Sequence, residues 1–273
     1  MSLLNGEQKD DINIADRGFQ YGDGVFETIE VIDGRPLFLD RHLKRLENAC
    51  CKILIPAPDI TLLAEESWQL SSPCRHGVLK IIVTRGSGGR GYRQPPHIIP
   101  TRLLSIYPYP DYPEQYQTQG ITVRFCQNLL SSNPALAGIK HMNRLEQILA
   151  RAEWQDETIQ EGLMLDSQAR VIEGTMSNLF LVKNRKLFTP ELSKSGVAGI
   201  VRAIVMELAR QQDMGVEEIH VDKSSLLQAD EVFVTNSVIG IWPVKQIEQQ
   251  YFNIGPITRS LQNMFQQMRI VST

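Results

Sequence analysis

The chain has 273 residues, 42% hydrophobic and 22% charged. That is ordinary globular usage, enough for one large domain or two of common size, and it argues against disorder. A net charge of −3 with no long basic run argues against nucleic acid as the main partner, while a local basic pocket for a small anion stays open. The four cysteines, Cys50, Cys51, Cys74 and Cys126, lack CxxC spacing and read as buried thiols rather than a disulfide framework or zinc site. MSLLNGEQKDD has no signal-like apolar core and no apolar run approaches the length of a membrane span, so a soluble cytoplasmic protein without membrane contact is expected.

In chain order, a strand–turn–strand opens the sequence. VFETIEVIDGRPLF continues it, with β-branched Val25, Ile29 and Val31 and the hairpin signal Asp33-Gly34. DRHLKRLENACCKILI reads as a helix with Leu43, Leu46, Ala49 and Cys50 on one face and Asp40 as N-cap. GVLKIIVTR is a buried strand, GSGGRGYRQPP a loop and RLLSIYP another strand. The proline-rich stretch 107–117 reads as a linker between an N-terminal α/β domain, 1–106, and a C-terminal α/β domain, 118–273, that carries the site.

The second part opens with the strand ITVRFCQ. A helix is then expected to begin at Lys140, its stripe formed by Met142, Leu145, Ile148, Leu149 and Ala152. GLMLDSQARVIEG and NLFLVKNRKLFTP read as hairpins. SGVAGIVRAIVMELARQQ is an amphipathic helix with Val201, Ile204, Val205, Leu208 and Ala209 on one face. VEEIHV, a short helix, DEVFVTNS and the helix TRSLQNMFQQM close the chain. Hairpins are too frequent for a doubly wound parallel sheet, so the class is α+β, with mixed α and β in both domains.

Several residues could carry chemistry, each beside a plainer alternative. RGSGGRG matches G-x-G-x-x-G after a strand, yet Tyr92-Arg93-Gln94-Pro95-Pro96 cannot start the helix a dinucleotide site requires. A loop whose Arg85, Arg90 and Arg93 grip a carboxylate competes with a solvated loop. The five histidines have no metal-site spacing, and no P-loop or GxSxG is present. The helix entry at Gly199–Val201 could hold a phosphate through free N–H groups, or be an unexceptional helix start. Glu173 could be a functional carboxylate or a solvated strand end. Thr235-Asn236-Ser237 could be ligands or a turn. Lys140 could be a nucleophilic amine or a surface lysine. Together, an amine, an anion-binding helix end, an arginine and a carboxylate are what pyridoxal 5′-phosphate requires.

The stretches DRGFQYGDGVFETIEVIDG, RHLKRL, VLKIIVTRGSGGRGY, LAGIKHMNRLEQ, EGTMSNLF, SGVAGIVR and LQADEVFVTNS run in order from residue 16 to residue 237. With them the chain resembles the fold-type IV pyridoxal-phosphate enzymes, a two-domain fold like that of D-amino-acid aminotransferase. RGSGGRGY and AGIKHMNRLEQ are similar to the aminodeoxychorismate lyases among them. The resemblance implies a homodimer acting on a small molecule, with pyridoxal 5′-phosphate as cofactor. It implies Lys140 as the cofactor-binding lysine, Glu173 at the pyridine nitrogen, Arg45 on the phosphate, Ile200 and Val201 as N–H donors, and Ser237 with Asn236 as further cofactor contacts. Thr28 would assist proton transfer, and Arg90, Tyr92 and Arg144 would face the substrate. Tyr92 stands where D-amino-acid transaminases have histidine, and Arg144 where branched-chain aminotransferases have tyrosine. Both departures favour a lyase over an aminotransferase.

Overall fold

The structure, a computed structural model, describes residues 1–9 and 11–271. Two units emerge. The first comprises residues 1–110 together with 139–143, and the second comprises 111–138 and 144–271.

In the first unit the order is β1 (Ser2–Leu4), β2 (Glu7–Gln8), α1 (Arg17–Tyr21), β3 (Gly24–Ile32), β4 (Arg35–Pro36), α2 (Leu39–Lys52), α3 (Ile60–Ser71), β5 (His76–Thr84) and β6 (Thr101–Pro108). The strands form an antiparallel sheet in the order β2-β1-β6-β5-β3-β4. Period-two alternation turns Val25, Ile29 and Val31 of β3 and Leu79, Ile81 and Val83 of β5 to one face. There they meet Leu39, Leu43, Leu46, Ala49 and Cys50 of α2 and Leu63 and Leu70 of α3. Asp33 (φ 46) and Gly34 (φ 79) make the tight turn to β4, as the dipeptide predicts.

The second unit holds α4 (Gln115–Thr118), β7 (Ile121–Phe125), α5 (Leu145–Arg151), β8 (Glu161–Leu165), β9 (Arg170–Gly174), β10 (Asn178–Lys183), β11 (Lys186–Pro190), α6 (Ile200–Gln211), β12 (Val216–Ile219), β13 (Val221–Asp222), α7 (Lys223–Leu227), β14 (Glu231–Asn236), β15 (Gly240–Ile247), β16 (Gln250–Tyr251) and α8 (Pro256–Val271). The sheet runs β12-β11-β10-β14-β15-β7-β8-β9-β13, with β7 parallel to both its neighbours. Asn178 of β10 also pairs with Glu173 of β9, so the sheet returns on itself. Val123, Leu163, Val171, Leu179, Leu181, Val232, Val234 and Val244 fill one core.

Four expectations are corrected. Asp40 does not cap α2: Phe38, at φ 55, holds that place, and Asp40 lies in the first turn, where its charge still suits the helix dipole. The helix expected from Lys140 starts at Leu145, because the backbone of residues 140–142 bonds to β3. The apolar stripe of that helix is largely exposed, at 72% for Leu145, 60% for Ile148 and 58% for Leu149. Cys51 is exposed, although Cys50 beside it is buried.

The division between the two units falls within 107–117, after Pro110. β6 runs on to Pro108, and Tyr112 and Tyr116 pack edge-on against Trp242 at 4.9 and 5.2 Å. Helix α3, capped by Asp59 accepting from the N–H groups of Thr61 and Leu62, was not anticipated.

Leu79 is completely buried, whereas Leu62 is 37% exposed. Leu79→Ala is expected to cost about 2–5 kcal/mol in urea unfolding, and Leu62→Ala under about 0.5 kcal/mol.

Candidate active site

In the first unit, Phe26 and Thr28 lie on the face of β3 opposite the core, both half-buried. β4 covers only Val31 and Ile32 at the far end of β3. The near end is taken by residues 140–142: the Phe26 N–H donates to Lys140 O and the Met142 N–H to Gly24 O, both at 2.9 Å. This pairing sets the Lys140 amine 4.4 Å from the centroid of the Phe26 ring, whose π face favours a cation. Lys80, opposite Thr28 in register, brings a second amine 5.4 Å from the same ring.

On the core face of β3, the same alternation buries a charge. Glu27 is 1% exposed. Arg45 Nε donates to Glu27 Oε1 at 2.8 Å and Arg45 Nη2 to Oε2 at 2.5 Å, while His42 Nδ1 lies 2.6 Å from Oε2. His42 and Arg45 are three residues apart on α2 and so share its face. Burial opposes ionisation of Glu27, but the charge of Arg45 and the bonds from Arg45 and His42 outweigh it and hold the carboxyl at about 2. Burial pushes His42 below its usual value; Glu27 opposes this, and the charges of Arg45 and Lys140 add to it. The imidazole is therefore neutral at pH 7, with Nδ1–H towards Glu27. Its Nε2 has no hydrogen-bond partner among the described residues.

The glycine loop separates its arginines. Arg85 is 3% exposed; it bonds Asp23 through Nε and Nη2 and the carbonyls of Leu54 and Ile53, so it is structural and not a carboxylate grip. Arg17 bonds Asp23 and the carbonyl of Gly91, anchoring the loop from the other side. Gly86 (φ 81) is obligatory, since a Cβ would lie 1.9 Å from Ile99 O. Arg90 and Arg93 are exposed. Tyr92 is 90% exposed, its ring edge-on to Tyr21.

In the second unit, Glu173 is 4% exposed and so is not a solvated strand end. Its Oε2 accepts from the Val197 N–H at 2.8 Å and from Asn178 Nδ2 at 3.3 Å. Asn178 Nδ2 also donates to Val197 O at 2.8 Å. Its Oδ1 lies so close to Gly199 that a Cβ there would come within 2.0 Å. Asn178 thus ties the carboxylate to the entry of α6. No side chain caps that helix, which begins at Ile200 and Val201, so its first N–H groups suit an anion. Arg144 precedes α5 and is half-buried; burial pushes its guanidinium below the usual range, opposed by the charges of Glu173 and Glu146. Ser237 is half-buried after β14, and the hydroxyl of neighbouring Thr235 is buried with no partner among the described residues. Asn236 accepts from the N–H groups of Val238 and Ile239 and donates to Met176 O. Its side chain builds the turn after β14.

The sequence reading missed Glu27, His42, Phe26 and Asn178. Glu27 was findable: period two puts it inward between Val25 and Ile29, and His42 and Arg45 are one turn apart beside Leu43 and Leu46 on the buried face of α2. No local signal marks Asn178.

Residues 24–247 match the family described as amino-transferase class IV. The chain belongs to that family. It is 37% identical to aminodeoxychorismate lyase of Vibrio harveyi over 268 residues, covering 96% of this chain and 98% of that protein. It is 30% identical to D-alanine aminotransferase of Bacillus licheniformis, covering 93% and 90%. The crystal structure of 4-amino-4-deoxychorismate lyase from Pseudomonas aeruginosa superposes with a TM-score of 0.95 at 43% identity, covering 98% of each chain.

The class IV family depends on pyridoxal 5′-phosphate, and the residues here fit that group. An uncapped helix entry and a buried, unpartnered hydroxyl suit a phosphate. A carboxylate held in place by two N–H donors suits a protonated ring nitrogen, and an amine against an aromatic face suits the aldehyde. Among the described residues no cluster of metal-ligating side chains occurs and no helix is long and apolar enough to cross a membrane.

Acid should act on the first unit in two stages. A neutral buried histidine binds fewer protons than the unfolded chain below its ordinary pKa of about 6.5, and a depressed carboxyl does so below about 4.3. Stability is therefore expected to fall as pH drops below about 6.5, through His42, and again from about 4.5 towards 2, through Glu27. In melting temperatures recorded against pH, His42→Asn should remove the upper part of the decline and retain the lower.

Proposed function

We propose that the chain is a pyridoxal-phosphate-dependent lyase that converts 4-amino-4-deoxychorismate to 4-aminobenzoate and pyruvate. One observation carries the reading: Lys140 is held by backbone pairing against the ring of Phe26, on the face of β3 that bears Thr28. Near-full-length likeness to two lyases supports this choice of reaction over transamination.

The cofactor supplies an aldehyde that captures the substrate amine and a protonated ring that accepts the electrons of a breaking bond. Glu173, whose carboxylate is buried and fixed by Val197 and Asn178, would keep the ring nitrogen protonated. Arg45, the N–H groups of Ile200 and Val201 and the hydroxyl of Ser237 would hold the phosphate. Lys140 Nζ would remove the proton from the carbon that bears the amino group. The C–O bond to the enolpyruvyl group then breaks, the ring becomes aromatic, and the departing fragment takes up a proton from Lys140 Nζ or Thr28 Oγ1 to become pyruvate. Arg144 and Arg90 serve the substrate carboxylates, Arg144 as the half-buried one and Arg90 from the glycine loop. Tyr92 flanks Arg90 on that loop.

The protein acts as a cytoplasmic homodimer in this reading. What supports pairing is α5, which exposes Leu145, Ile148 and Leu149 at i, i+3 and i+4, with Leu129 and Met176 also exposed in the same unit. Ile148→Glu should shift the sedimentation coefficient to that of a monomer.

Purified, cofactor-loaded protein given aminodeoxychorismate should release 4-aminobenzoate and pyruvate in equal amounts, and Lys140→Ala should lose at least about 10³-fold in rate. Rapid keto-acid formation from an amino acid, with no aromatic product, would transfer the activity to transamination.

A further inference from the structure

We infer that Glu27 and His42 are positioning residues that fix the guanidinium of Arg45 for the phosphate of the cofactor, an inference that rests on the reading of Arg45 as a phosphate ligand. A guanidinium carries five N–H donors in a planar fork. Glu27 engages Arg45 through two of its nitrogens, Nε at 2.8 Å and Nη2 at 2.5 Å, so rotation about the end of the side chain would break both bonds at once. The plane of the guanidinium, and with it the direction of the remaining N–H groups, follows the carboxylate. His42 holds that carboxylate in turn: its Nδ1 lies 2.6 Å from Oε2, and the ring is completely buried.

The charges make direction the decisive property. Glu27 and Arg45 cancel and His42 is neutral, so the cluster offers a phosphate no excess positive charge. What it offers is a fork preset in orientation, which a dianionic phosphate matches. The two supports come from different elements, β3 and α2, whose packing is fixed by the core around Leu43, Leu46 and Ile29. A bridge serving stability alone would not distinguish a ligand with a phosphate from one without.

That distinction is the test. Full-length apoprotein is titrated with pyridoxal 5′-phosphate and with pyridoxal, which lacks the phosphate, and the dissociation constant for pyridoxal divided by that for pyridoxal 5′-phosphate is compared among variants. Glu27→Gln and His42→Ala should each lower the ratio by about tenfold, which is about 1.4 kcal/mol of phosphate-specific binding. His42→Asn, whose amide returns a donor near the position of Nδ1, should restore it to within about threefold of wild type. Equal loss of both affinities, or an unchanged ratio in the folded variants, would reduce Glu27 and His42 to structural residues and overturn the inference. Should Glu27→Gln not fold, the His42→Ala and His42→Asn pair decides alone. A wild-type protein that binds both compounds equally would instead remove the phosphate role of Arg45 itself.

Discussion

Residues 140–142, joined to β3 by an isolated bridge at His141, complete its near end, and the arrangement of the first unit's chemistry depends on them. β3 is paired along its length on one side by β5, but β4 covers only two residues on the other. The N–H of Phe26 would otherwise lack a partner at a half-buried edge, a costly state for a backbone group. Residues 140–142 remove that cost, with Ile139 in the first unit's core. Close approach demands a glycine at position 24, where a Cβ would meet Val83 O at 2.6 Å and Met142 Sδ at 2.7 Å. The backbone of Lys140 is thereby held by a hydrogen bond from β3 and not by a helix start.

Buried carboxylates are stabilised here in two different ways. Glu27 has a full counter-charge in Arg45, and removing one member of such a pair characteristically costs about 3–5 kcal/mol, since the other is left buried and uncompensated. Glu161, 1% exposed, instead accepts from the N–H groups of Gly162 and Thr175 and from the hydroxyls of Thr175 and Ser177. It shapes the turn between β9 and β10, directly after Glu173. Glu173 resembles Glu161 in taking N–H donors, but its bonds from Val197 and Asn178 both fall on Oε2. Two donors on one oxygen fix the orientation of that carboxylate.

Most elements were legible from local pattern. The stripe of Val201, Ile204, Val205, Leu208 and Ala209 is buried as α6, and the hairpins β8–β9 and β10–β11 lie where turn residues interrupt apolar runs. These features depend on neighbours a few residues away, so periodicity and turn chemistry suffice to predict them. The same logic failed at Leu145, Ile148 and Leu149. A 3.6-residue stripe says that one face is apolar and does not say what covers it.

The sequence by itself determined the residue types of the site, its class of chemistry and the strands and helices that carry it, because each is written in adjacent residues. Only the tertiary structure decided that Lys140 lies beside β3, that Arg85 is an anchor and Arg90 exposed, that Asn236 builds a turn, and that Glu27, His42 and Arg45 form one cluster. Those outcomes are set by partners far along the chain: Phe26 pairs with Lys140, Arg85 with Asp23, and Asn178 reaches Val197. Which charges share a buried space is a property of packing and desolvation, and no local window of residues contains it.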